Sequence, residues 1–152
     1  MTKTIFEQPS PEAMLDSVTE MIEMRDTVNL DKELIAQTKI FKVLQGTLSK
    51  QAKTHQEITE KLEEVVLNLT RYYDGRCSSA VYKERPLKFT PKTKTELDMM
   101  VRADDIYKIV NSDLKTSERN LQIIEDAMWQ LRQRPKNIAS IIEWRKYIET
   151  GM

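Results

Sequence analysis

Apolar residues recur in steps of three and four along most of the chain, a spacing that predicts amphipathic helices. The first is short. Ser10-Pro11-Glu12 reads as its start, because serine caps a helix N-terminus, proline suits the first helical position and glutamate favours the first turn. Met14, Val18, Met21 and Ile22 follow at helical spacing, and Arg25 to Asn29 reads as a break. Asn29 or Asp31 can cap the next helix. Leu34, Phe41, Leu44, Leu48, Ile58, Leu62, Val65, Leu69 and Tyr72 then form a seam of about five heptads. No proline interrupts it and Gly46 costs only about 1 kcal/mol relative to alanine, so a helix of about 40 residues is expected. Tyr73-Asp74-Gly75 ends it, glycine being the usual left-handed residue just past a C-terminus.

Between Arg76 and Lys94 the helical period is lost, Pro86 and Pro91 forbid a continuous helix, and V-Y-K and L-K-F offer at most short extended pieces. The segment reads as a loop. Asp104 or Asp105 sits in the first turn of a third long helix, with Tyr107, Val110, Leu114, Leu121, Ile124, Met128 and Leu131 on one face. Pro135 is expected to divide that helix from a last one, Asn137 to Gly151. On its wheel Ile141, Trp144 and Ile148 form one apolar strip and Ile138 and Ile142 a second, with Arg145 and Glu149 between them. The apolar arc spans about 160°, wider than the roughly 100° that one neighbouring helix covers. A second copy of the chain is the economical partner for the remainder.

The expected fold is therefore all-α: long antiparallel coiled-coil-like helices, a basic loop between them, and a short C-terminal oligomerisation helix. Its parts are an N-terminal segment with a short helix (1–28), a long helix (29–73), the basic loop (74–102) and a helical C-terminal region (103–152), in one compact domain overall. Composition agrees, with 32% charged residues and only 3 glycines and 5 prolines in 152 residues. No apolar run approaches the roughly 20 residues of a membrane span, and the N-terminus lacks the apolar core of a signal peptide, so a soluble intracellular protein is expected. Cys77 is the only cysteine and His55 the only histidine, which leaves no Cys/His zinc set. His55 falls on the heptad seam and reads as a packed residue. Neither a glycine-rich phosphate loop nor a nucleophile paired with a base is present, so catalysis, metal and cofactors are not expected.

Charge changes the picture more. Within a formal net charge of +0, Arg71, Arg76, Lys83, Arg85, Lys88, Lys92 and Lys94 meet only Asp74 and Glu84 in the same stretch. Tyr72, Tyr73, Tyr82 and Phe89 are interleaved with these cations. A base stacked on an aromatic ring gains about 1–3 kcal/mol, so cations and rings together suit single-stranded DNA or RNA. A basic helix for a duplex major groove is absent. The candidate DNA-binding residues are Arg71, Tyr72, Tyr73, Arg76, Lys83, Arg85, Lys88, Lys92 and Lys94. The candidate oligomerisation residues are Ile138, Ile141, Ile142, Trp144, Arg145 and Ile148. The same pattern also fits a solvated loop whose tyrosines pack against the coil, in a coiled-coil structural or scaffolding protein, or an adaptor whose basic loop meets an acidic protein tail.

Y-Y-D-G-R at Tyr72 to Arg76, A-D-D-I at Ala103 to Ile106 and N-I-A-S-I-I-E-W-R-K-Y-I-E-T-G at Asn137 to Gly151 resemble, in order and spacing, the UvsY family of phage recombination mediators. V-N-L-D-K-E-L from Val28 to Leu34 resembles the family's opening into its first long helix. The resemblance implies a non-enzymatic accessory factor in recombination, replication and repair of phage DNA, acting in the bacterial cytoplasm. It also implies a closed homo-oligomeric ring that binds single-stranded DNA and contacts both a RecA-like recombinase and the single-stranded-DNA-binding protein it replaces. The chain departs from the family in two places. Leu67, Asn68 and Leu69 stand where members often carry basic residues, and Pro135-Lys136 replaces a glycine-aromatic step.

Overall fold

The computed structural model describes residues 4–23 and 30–151, the side chains of residues 30 and 31 excepted. Five helices form among them: α1 (Pro11–Ile22), α2 (Leu30–Tyr73), α3 (Ser79–Glu84), α4 (Lys94–Ala103) and α5 (Asp105–Glu149). The fold is all-α, with no strand among the described residues. Ser10 caps α1 as its sequence predicts, its side chain accepting from the Ala13 N–H at 3.1 Å with Pro11 at the first helical position. The expected break at Arg25 to Asn29, and the capping role of Asn29 or Asp31, fall outside the described residues and side chains. At 44 residues α2 is about 66 Å long. Its end is a Schellman motif: Arg76 N–H donates to the Arg71 carbonyl at 2.9 Å, Gly75 N–H donates to that of Tyr72 at 3.2 Å, and Gly75 takes a φ of 74°.

Contacts divide the chain into two compact units, Met1–Gln8 with Lys53–Ser117 and Pro9–Ala52 with Glu118–Met152, each containing part of α2 and part of α5. In the second unit Met14 and Val18 of α1 and Leu44 of α2 pack with Ile123, Ile124, Ala127, Met128 and Leu131 of α5. Arg134 is tied into the same unit, donating to the Ile22 carbonyl at the end of α1 and lying 4.0 Å from the buried Glu33 carboxylate. In the first unit Ile58, Val65 and Leu69 of α2 pack with Val101 of α4 and Val110 of α5, flanked by Phe6, Leu62, Tyr73, Tyr107 and Leu114. The buried Asp113 carboxylate accepts the Ile5 and Phe6 N–H groups at 2.9 and 3.3 Å, which holds the N-terminal segment there. His55 packs on the seam as expected, with Nδ1 3.3 Å from the Ser117 hydroxyl.

Two boundaries differ from the sequence expectation. The segment read as a loop with at most short extended pieces carries α3, which covers V-Y-K as helix, and α4 begins at Lys94, inside the stretch assigned to the loop. Thr93 starts α4: its hydroxyl accepts the Glu96 N–H at 3.1 Å while Glu96 accepts the Lys92 N–H at 2.7 Å, a close variant of the capping box. The second difference is at Pro135, where no separate last helix begins because α5 runs through it to Glu149. Proline has no N–H, so it leaves the carbonyl four residues earlier without its helical donor. That carbonyl belongs to Leu131, and the Gln37 side chain supplies the donor, with Nε2 2.8 Å away. Gln37→Ala is expected to cost about 1–3 kcal/mol by orphaning this carbonyl. In a Pro135→Ala background the backbone donor returns, and the cost should shrink. Urea unfolding of the two single variants and the double variant measures the coupling; equal costs on both backgrounds would contradict it.

Candidate nucleic-acid interface

The basic segment is built onto the end of α2 by its tyrosines. Tyr72 is 6% exposed, and its hydroxyl donates to the Arg85 carbonyl at 2.8 Å. Its ring lies 5.0 Å from that of Tyr73, edge to face, and stacks on Tyr82 at 5.4 Å, with the Arg85 guanidinium 4.7 Å above it. Tyr82, from α3, donates its hydroxyl to the Tyr72 carbonyl at 2.7 Å and accepts the Cys77 N–H at 3.2 Å. These bonds pin α3 against the last turn of α2. Tyr73 and Arg85 converge on one oxygen of Asp104, each at 2.7 Å, while the other oxygen accepts the Ile106 N–H at 3.0 Å and caps α5.

Asp104 is almost wholly enclosed, its side chain 3% exposed, whereas that of Arg85 is 56% exposed. Burial pushes the Asp104 carboxyl upward, but the hydrogen bonds from Tyr73, Arg85 and Ile106 outweigh it and hold the group below the usual carboxylate value. Burial, with the Asp104 carboxylate beside it, pushes Tyr73 up to about 12. Arg85 is raised by its bond to Asp104. The network thus holds one anion and one cation fixed at neutral pH.

The remaining cations lie outside the network. Arg71, Arg76, Lys83, Lys88, Lys92 and Lys94 are exposed, Arg76 pairing with Asp74 at 2.7 Å. Two open hollows are lined in part by two of them, Lys88 and Lys92. One of about 500 Å³ is lined by Tyr72, Tyr73, Arg85, Lys88, Phe89 and Met100, and one of about 390 Å³ by Phe89, Pro91, Lys92, Glu96, Met99 and Met100. At the end of α5, Ile138 is buried and Ile142 half-buried within the single chain, whereas Ile141, Trp144, Arg145 and Ile148 are exposed. Tyr147, which the wheel did not single out, is exposed and stacks on Trp144 at 5.7 Å.

The family described as "Recombination, repair and ssDNA binding protein UvsY" matches the chain over residues 14–152. The chain belongs to the UvsY family. No curated protein and no solved structure matches it significantly. As a UvsY-family member the chain is a phage recombination and repair protein that binds single-stranded DNA, in a family not known for enzymes.

Within this UvsY-family chain the nine residues singled out for DNA separate into two groups. Tyr72, Tyr73 and Arg85 are brought together, but into an internal network that fixes the segment's shape. The six exposed cations take no part in that network. Sequence reasoning took Asp104 as a helix-start residue, which it is, and missed its bonds to Tyr73 and Arg85. Those partners are 31 and 19 residues away, and no local pattern links them. Among the described residues no group of His, Cys, Asp and Glu could hold a metal ion, and no helix is long and apolar enough to cross a membrane.

Proposed function

We propose that this chain is a recombination mediator: it binds single-stranded DNA as a homo-oligomer, a closed ring, and helps load a RecA-like recombinase in place of single-stranded-DNA-binding protein, in the bacterial cytoplasm. The observation that supports it most is the set of exposed cations Arg71, Arg76, Lys83, Lys88, Lys92 and Lys94, held on a segment of defined shape in a single-stranded-DNA-binding family. Lysines and arginines gain affinity by releasing counterions from phosphates, and several subunits engaging one strand add avidity without strong single sites. A strand held in this way is presented to the recombinase while its covering protein is weakened. No chemical step is assigned to the chain.

Assembly is proposed through Ile141, Trp144 and Ile148, with Arg145 at the edge, whereas the burial of Ile138 reserves it for packing within the chain. Trp144 is 62% exposed in the single chain, so Trp144→Ala should leave protomer stability nearly unchanged and break the oligomer. Light scattering with and without a single-stranded oligonucleotide is expected to give a multi-subunit mass for the wild type and small species for the variant. Nucleation of the recombinase on strands precovered with single-stranded-DNA-binding protein should be faster with the wild type than with the variant. A monomeric wild type would remove the assembly proposal, and unchanged nucleation would remove the loading role. Failure to bind any single strand at low salt would favour the scaffolding alternative.

A further inference from the structure

Tyr72 and Tyr73 are committed to Arg85 and Asp104, which leaves open which ring in the basic segment meets a base. Phe89 is 75% exposed, the most exposed of the large apolar side chains among the described residues. An apolar ring left in water loses the free energy its burial would gain, and here it stands three residues or fewer from the exposed Lys88 and Lys92. It is also a wall common to both hollows, with Lys88 lining the first and Lys92 the second. Met100 forms part of both floors, and Met99, 66% exposed, continues the apolar surface in the second.

The geometry points to Phe89 as the base-stacking residue of the single-stranded-DNA site, its ring inserted between two successive bases that occupy the two hollows, with Lys88 and Lys92 on the flanking phosphates. This rests on the proposal that the basic segment meets single-stranded DNA. An aromatic ring accepts the face of any base, so the contact is sequence-tolerant, and the lysines supply the salt-dependent part of binding. Each hollow also carries one carboxylate, Glu84 in the first and Glu96 in the second, but Arg85 and Lys88 outnumber Glu84, and Glu96 accepts the Lys92 N–H at 2.7 Å. The cations favour a strand over an apolar peptide, since a bare hydrophobic partner gains nothing from a lysine in each hollow, whereas bases and phosphates match ring and cations.

The test is the affinity of the full chain for an oligothymidylate and for an abasic strand of equal length at fixed salt, with Phe89→Ala, Phe89→Leu, Phe89→Trp and a Lys88→Ala/Lys92→Ala double variant. Phe89→Ala is expected to weaken oligothymidylate binding about tenfold without altering its salt dependence, and to bind the abasic strand as the wild type does. Phe89→Leu should not restore binding. Phe89→Trp should, with new indole emission that the strand quenches, read against the wild-type signal of Trp129 and Trp144. The lysine variant should instead lower the salt dependence. Wild-type affinity in Phe89→Ala together with a weakened lysine variant would overturn the stacking role and leave the basic-segment reading intact. Wild-type affinity in both would overturn that reading as well. Normal DNA binding by Phe89→Ala with loss of affinity for single-stranded-DNA-binding protein would make the patch a protein-docking surface and overturn the proposal.

Discussion

Asp104→Ala is expected to lower the unfolding free energy by about 2–4 kcal/mol, through loss of a helix cap worth about 1 kcal/mol and of charge-assisted hydrogen bonds worth about 1.5–3 kcal/mol. The carboxylate is enclosed and serves three donors: the Ile106 N–H, the Tyr73 hydroxyl and the Arg85 guanidinium. Arg85 is more than half exposed, so water compensates much of its loss and the ion pair contributes the smaller share. Asp104→Asn should cost less, because an amide oxygen can still accept the Ile106 N–H. The pH dependence gives a second signature. Tyr73 titrates higher in the folded chain, about 12 against an ordinary 10.0, so its contribution is complete below pH 10 and is lost as pH rises toward 12. Asp104 titrates lower in the folded chain than its ordinary 3.8, so its contribution is present above pH 4 and is lost as pH falls through the depressed value. Urea unfolding across pH should show both losses in the wild type. In Asp104→Ala the acid loss from this group should vanish and the alkaline one shrink. A variant within about 0.5 kcal/mol of wild type, the range of ordinary surface substitutions, would mean that Asp104 does not hold the segment.

Local chemistry made much of the fold readable. Ser10-Pro11 marks the start of α1, the Tyr73-Asp74-Gly75 stop carries the full set of Schellman bonds, and the heptad residues Leu44, Ile58, Val65 and Leu69 are all buried. At Pro135 a local rule met a distant partner. Pro135 has the chemistry of a helix break, and Gln37, 94 residues from the Leu131 carbonyl it serves, replaces the donor that proline lacks. The start of α4 was legible in Thr93 and Glu96 and in the spacing of Leu97, Met100 and Val101, but two nearby prolines masked it. In the candidate site the cations were visible as a local excess of charge. The division of its aromatic residues was not, because Tyr72 and Phe89 differ in the neighbours that α3, α4 and Asp104 bring to them.

The largest effect on function is expected when the exposed cations are removed and the network is kept. Arg76, Lys83, Lys88 and Lys92 changed together to alanine leave Tyr72, Tyr73, Arg85 and Asp104 in place, so helicity and stability should remain near wild type. Each phosphate contact on a single strand contributes about 0.7 to the slope of log affinity against log salt, so four contacts account for about 3. Extrapolated from molar salt, the same four contacts correspond to a loss of about 10²–10³-fold at 0.1 M salt. Arg85 is left out of this set because its loss would disturb the fold. A salt titration of a short labelled single strand, comparing wild type with this fourfold variant, decides whether these cations hold the strand. A weaker affinity and a slope shallower by about 2–3 are expected in a variant that remains folded. Equal affinity and an equal slope would contradict that role and place the DNA contacts elsewhere on the chain.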